Sequence, residues 1–186
     1  ASIGSLHDWS HSGRLGNWLT VNGQSRPEIP IPQTGLVRLR FVNAANARVL
    51  SFQLSRRAPM QIIALDGAPC IPFNVDTLRL GPAQRADVIV QAGPDLGSLY
   101  EVTAGDNFEA ARFVSKRVSE SALGNISTSP WYPYPDTKDA KLINIHMQGG
   151  AMGNLTSAVF EGEEMPIRQL ALEKQKFWAF NGQVGG

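Results

Sequence analysis

The chain has 186 residues, enough for one domain with a sizeable core plus connecting overhangs. Its 17 Lys and Arg stand against 16 Asp and Glu, net +1, without a basic block, so neither nucleic acid nor an anionic membrane surface is an expected partner. The single cysteine, Cys70, excludes an internal disulfide and a cysteine-rich zinc site, and leaves the redox compartment open. No apolar run approaches the roughly 18 residues of a membrane span, and the start does not read as a signal peptide.

Ala1 to Asn17 is polar and carries Gly4, Gly13 and Gly16, which predicts a loop. Within it His7 and His11 would face one metal if helical. The nearby glycines argue against a stable helix, so the pair reads as loop residues. Trp18 to Gln24 predicts a short strand ending in the Asn22-Gly23 turn. Pro27, Pro30 and Pro32 make residues 26–33 an extended, ladder-poor approach. Residues 36–43 alternate cleanly, with Val37, Leu39 and Phe41 on one face and Arg38 and Arg40 on a solvated one. A turn at 43–46 leads to a strand over 49–54 with Leu50, Phe52 and Leu54 inward.

The stretch Met60 to Val90 organises the rest. Gln61 to Leu65 is β-rich and stops at Asp66-Gly67, a tight-reversal signal. Pro69 and Pro72 place residues 68–74 on an edge or across the end of a sandwich. Thr77 to Leu80 predicts a short strand. Ala86 to Gln91 predicts another, with Ala86, Val88 and Val90 on one face. Arg85 and Asp87, two apart on that strand, form a candidate ion pair.

Tyr100 to Thr103 predicts a short strand, and Phe108 to Val118 a longer one. Residues 119–139, with Pro130, Pro133 and Pro135 around Trp131, Tyr132 and Tyr134, predict a loop strapped down by its rings. Leu142 to Met147 predicts a strand with His146 at the surface. Residues 155–165 read as linker, and 167–172 as one more extended segment. Asn125-Ile126-Ser127 and Asn154-Leu155-Thr156 fit the glycosylation sequon, a pattern common by chance. Trp178 to Gln183 repeats the Trp, Asn-Gly and Gln of Trp18 to Gln24 at about the spacing of a complete β-sandwich module. This echo predicts a domain over residues 1–160, followed by a linker and the opening strand of a further, truncated domain over 161–186. On that reading the chain is part of a longer protein, and its apolar tail docks on the sandwich or on a second copy.

The run Ile63-Ala64-Leu65-Asp66-Gly67, then Pro72, Val75-Asp76, Leu78, Leu80 and Pro82-Ala83-Gln84-Arg85-Ala86-Asp87-Val88, resembles the second domain of three-domain, laccase-like multicopper oxidases. Asp8-Trp9 and residues 37–54 are similar to the same domain. The resemblance implies an all-β, cupredoxin-like Greek-key β-sandwich without copper. It brings flanking cupredoxin domains of the same polypeptide that hold type 1 and trinuclear copper, a periplasmic or extracellular location, and a parent that oxidises phenols, amines or metal ions and reduces dioxygen to water. The residues agree on copper. A type 1 site needs a thiolate and two imidazoles in one pocket, usually with a thioether. This sequence has neither His-Cys-His nor His-x-His, so no catalytic, cofactor-binding or metal-ligating residue is assigned. Met147, Met152 and Met165 could border a site for a cuprous substrate ion, but methionine more often fills apolar gaps. The competing class is a free-standing immunoglobulin-like binding module, against which the lone cysteine and the truncated echo argue.

Overall fold

Side-chain alternation becomes strand over residues 36–42, 50–54 and 85–91. In the computed structural model, which describes residues 4–103, 105–116 and 135–185, the chain forms two compact units, residues 16–134 and residues 1–15 with 135–186.

The described strands of the first unit are Glu28–Ile31 (β1), Leu36–Val42 (β2), Leu50–Leu54 (β3), Met60–Leu65 (β4), Ala68–Val75 (β5), Leu78–Leu80 (β6), Arg85–Gln91 (β7), Ser98–Glu101 (β8) and Phe108–Ser115 (β9). They make two sheets, ordered β1-β9-β8-β3-β6 and β2-β7-β4-β5. Pairing is antiparallel throughout except for β1 on β9. Between the sheets Leu50, Phe52 and Leu54 of β3 meet Met60 and Ile62 of β4 and Ala86, Val88 and Val90 of β7 in one core. Val37, Leu39 and Phe41 pack against it, half-buried, while Arg38 and Arg40 face water. Burying each large side chain contributes roughly 1.5–3 kcal/mol, which is what closes the sandwich.

Asp66 and Gly67 take φ values of 50° and 90°, so the β4–β5 hairpin closes on a two-residue reversal, and the proline-bearing β5 lies at the sheet edge. The proline-spaced segment, expected to be extended and ladder-poor, holds the short edge strand β1, which runs parallel to β9 with Ile31 buried and tolerates the missing donor of Pro30. Two local expectations change. Trp18 to Gln24 is not a regular strand: a bridge between Val21 and Gln24 closes the Asn22-Gly23 turn, and Trp18 is exposed. Arg85 and Asp87 do not pair. Asp87 lies directly across from Arg40, and its carboxylate accepts from Arg38 Nε at 3.1 Å and Nη2, and from Arg40 Nε at 3.3 Å. Arg85 N–H donates instead to Asp66 Oδ1 at 2.9 Å, across the hairpin end. Cross-strand neighbours stand about 5 Å apart and i,i+2 neighbours nearly 7 Å, so the adjacent strand wins the carboxylate.

On β9, Glu109 accepts from Arg112 Nε at 3.1 Å and from Ser98 Oγ at 2.7 Å, and these bonds hold its carboxyl below the usual range. A depressed folded pKa contributes stability above the ordinary glutamate value of about 4.3 and loses it as pH falls through the lower folded value. The contribution is small for a carboxylate reached by water. Glu109→Gln is therefore expected to remove a shallow acid-side slope from the stability-versus-pH curve, read by urea titration between about pH 5 and 2. An unchanged slope would show that the pair holds no net stability.

The second unit contains Leu6–Ser10 (α1), Met147–Gly149 (β10), Ser157–Phe160 (β11), Glu163–Pro166 (β12), Ile167–Glu173 (α2), Trp178–Phe180 (β13) and Gln183–Val184 (β14). Its sheet has the order β10-β13-β14-β11-β12, with β11 and β14 parallel. Ala158, Phe160, Leu170, Ala179 and Val184 form its core. Here several expectations are corrected. The supposed linker at 155–165 is the β11–β12 hairpin, too short to show a period, turning at Glu161 and Gly162 with positive φ. Residues 167–172 are helix because Arg, Gln, Leu, Ala and Glu are good helix formers and Leu170 turns fully inward. Leu142, Ile143 and Ile145 are exposed and lie outside any strand, the pairing beginning at Met147. His146 is exposed, as read. A single turn of helix, α1, replaces the expected loop at His7 to His11. The tail pairs as β13 and β14 within this sheet, β13 beside β10 and β14 beside β11. Trp131, Tyr132, Tyr134 and the sequon at Asn125 lie outside the described residues. Among the described residues no helix is long and apolar enough to cross a membrane.

Candidate functional site

Cys70 is the natural place to look for soft-metal or nucleophilic chemistry, and its strand decides the outcome. It sits on the edge strand β5, half-buried and free, and burial pushes its thiol pKa up. A raised pKa keeps the sulfur protonated near neutrality, the opposite of what a copper ligand or nucleophile needs. Among the described residues no group of three or more His, Cys, Asp or Glu side chains is placed to hold a metal ion. His7, His11 and His146 belong to the second unit and Cys70 to the first. The donor set does not fit a type 1 or trinuclear copper centre. Met147 and Met152 are exposed and Met165 half-buried, packed against the small core.

The sandwich does hold a cavity of about 770 Å³ along β2, lined by Leu19, Val21, Ile29, Phe41, Phe52 and Phe113 among others. Phe41 and Phe52 meet there with ring centroids 5.6 Å apart. The titratable side chains of its wall are Arg38 and Arg40, both already paired with Asp87. Such walls offer apolar packing and no general acid, base or nucleophile. The polar residue beneath the cavity is structural. Asn43 is 1% exposed; its Nδ2 donates to Arg48 O at 2.9 Å and Leu80 O at 3.0 Å, and its Oδ1 accepts from Ala45 N–H at 2.9 Å. The asparagine thus pins the turn after β2 to the end of β6, a role whose only sequence signal is a polar residue at a strand end.

A two-sheet sandwich, antiparallel but for β1 on β9, defines a cupredoxin-like module. The comparisons agree. The family profile described as Multicopper oxidase matches residues 8–120, and the chain belongs to the multicopper oxidase family. Cell division protein FtsP of Edwardsiella tarda is 40% identical over 98 residues, 52% of this chain and 20% of that protein. Multicopper oxidase LPR1 homolog 3 of Oryza sativa is 29% identical over 170 residues, 90% of this chain and 27% of that protein. The laccase-like multi-copper oxidase CueO of Ochrobactrum sp. superposes with a TM-score of 0.61 at 30% identity, over 74% of this chain and 32% of that one. A multi-copper oxidase of Pseudomonas thermotolerans shares the fold, with a TM-score of 0.64 at 24% identity over 76% of this chain and 34% of that one. The chain thus spans between about a fifth and a third of these relatives.

Proposed function

We propose that residues 1–160 serve as the middle, copper-free cupredoxin domain of a multicopper oxidase, bracing two copper-bearing neighbours, and that 161–186 lead into the next domain. The observation that carries this is the pairing of a family match over 8–120 with a donor set that does not fit a type 1 or trinuclear copper centre. Leu65, Ile71 and Phe73, exposed along the β4–β5 hairpin, supply apolar surface for flanking domains or for self-association. The parent would oxidise phenol, amine or metal-ion substrates and reduce dioxygen to water in the periplasm or outside the cell. A second reading rests on the relatives named cell division protein FtsP, 40% identical where they align: the parent is then a structural cell-division protein on the same scaffold.

Two measurements decide. Purified chain supplied with copper is expected to show no intense blue absorbance, no type 1 paramagnetic signal and no oxygen consumption. The full-length gene product should carry copper, show the blue band and consume oxygen with a phenolic substrate. Blue colour in the chain alone would overturn the copper-free assignment, and a full-length protein without copper would favour the cell-division reading.

A further inference from the structure

His7 and His11 stand together despite the glycines that follow them. α1 forms because Ser5 caps it: Ser5 Oγ accepts from Asp8 N–H at 3.3 Å, and the Asp8 carboxylate accepts from Ser5 N–H at 2.8 Å. Gly13 lies past the turn and ends it, its N–H donating to Asp8 O at 3.0 Å. The turn is also held to its own unit, since the Trp178 indole N–H donates to Trp9 O at 2.9 Å and Ala151 N–H to Ser10 O at 2.7 Å.

On this fixed turn the two imidazoles, four residues apart, share a face with ring centroids 4.1 Å apart and a 30° tilt, and both residues are exposed. His11 Nδ1 lies 3.0 Å from the His7 carbonyl, a group that only accepts, so Nδ1 carries the ring proton and Nε2 keeps its lone pair. Ser10 Oγ, 3.1 Å from that nitrogen, turns its own proton to the same carbonyl at 3.3 Å and leaves the ring proton in place. A backbone carbonyl holding one ring nitrogen is the arrangement that orients a metal-binding histidine through the other. Asp8 is engaged with Ser5 and contributes negative charge to the turn rather than a ligand.

We propose that His7 and His11 form a two-imidazole site for a divalent transition-metal ion of borderline softness, water completing the coordination. Copper(II) heads the affinity order expected of nitrogen ligands, ahead of zinc. This site is separate from type 1 and trinuclear chemistry and does not depend on the function proposed for the parent. The test titrates the purified chain with Cu²⁺ by calorimetry and records its paramagnetic spectrum. One equivalent should bind, giving a signal of the non-blue kind with coupling to two nitrogens, and Zn²⁺ should compete less well. His7→Gln and His11→Gln should each lose that stoichiometric binding and the two-nitrogen coupling, with circular dichroism unchanged because both side chains are exposed. His146→Gln should retain both. Undiminished binding in the His7→Gln/His11→Gln double variant, or loss of binding in His146→Gln, would overturn the proposal. An intense blue band would instead count against the copper-free sandwich, so the two failures are distinguishable.

Discussion

Truncating the chain after Gln175 is expected to unfold the sheet of the second unit while leaving the sandwich of residues 16–116 folded. The deletion removes β13 and β14, the two strands between β10 and β11, so β10 loses its pairing partner and β11 keeps only β12. It also removes Ala179 and Val184 from a core in which they stand with Ala158, Phe160 and Leu170. A two-stranded hairpin is marginal in water, and a core so reduced does not offset the entropy of ordering it. The Asn181 side chain goes too, with its bonds to His146 N–H at 2.8 Å and Asn144 O at 3.2 Å. Amide exchange read by mass spectrometry should show protection lost over 147–166 and kept over β3, β4 and β7. Retained protection over 157–166 would show that the hairpin and α2 stand alone and that the tail is an addition to them.

Asn43→Ala is expected to destabilise the sandwich by about 3 kcal/mol or more, a loss of roughly 10 °C in Tm for a unit of this size. The substitution removes the Asn43 amide from the carbonyls of Arg48 and Leu80 and from the N–H of Ala45 at once. Each buried polar group left unmatched costs about 1–3 kcal/mol. Asn43→Asp should do no better, because it keeps the acceptor for Ala45 but turns a buried carboxylate toward two carbonyl oxygens. Asn46→Ala, at an exposed position of the same turn, is the control and should stay within about 0.5 kcal/mol. Thermal and urea unfolding of the three variants would check this, and an Asn43→Ala result no larger than the control would mean that water takes over those bonds.

What the sequence by itself determined was the sandwich. Alternation in residues 36–42, 50–54 and 86–90 placed Val37, Leu39, Phe41, Leu50, Phe52, Leu54, Ala86, Val88 and Val90 on the core side, because a period of two leaves a half-buried strand no other way to sit. Asp66-Gly67 marked its hairpin through the positive φ that both residues accept. The absence of His-Cys-His and His-x-His was equally legible, since ligands that are not in a chain cannot be assembled by folding it.

Tertiary structure decided the rest. Which arginine reaches Asp87 depended on β7 lying beside β2, a neighbour that no spacing along β7 reveals. Residues 155–166 paired as a hairpin although four-residue strands are too short to display a period. The tail joined a sheet in which Met147 pairs with Phe180, 33 residues on, and long-range pairing of that kind is invisible to local propensity. At His7 and His11 the glycines that argue against a helix only end it. The Ser5–Asp8 cap and the bonds from Trp178 and Ala151 fixed one turn, which brought the two rings onto one face.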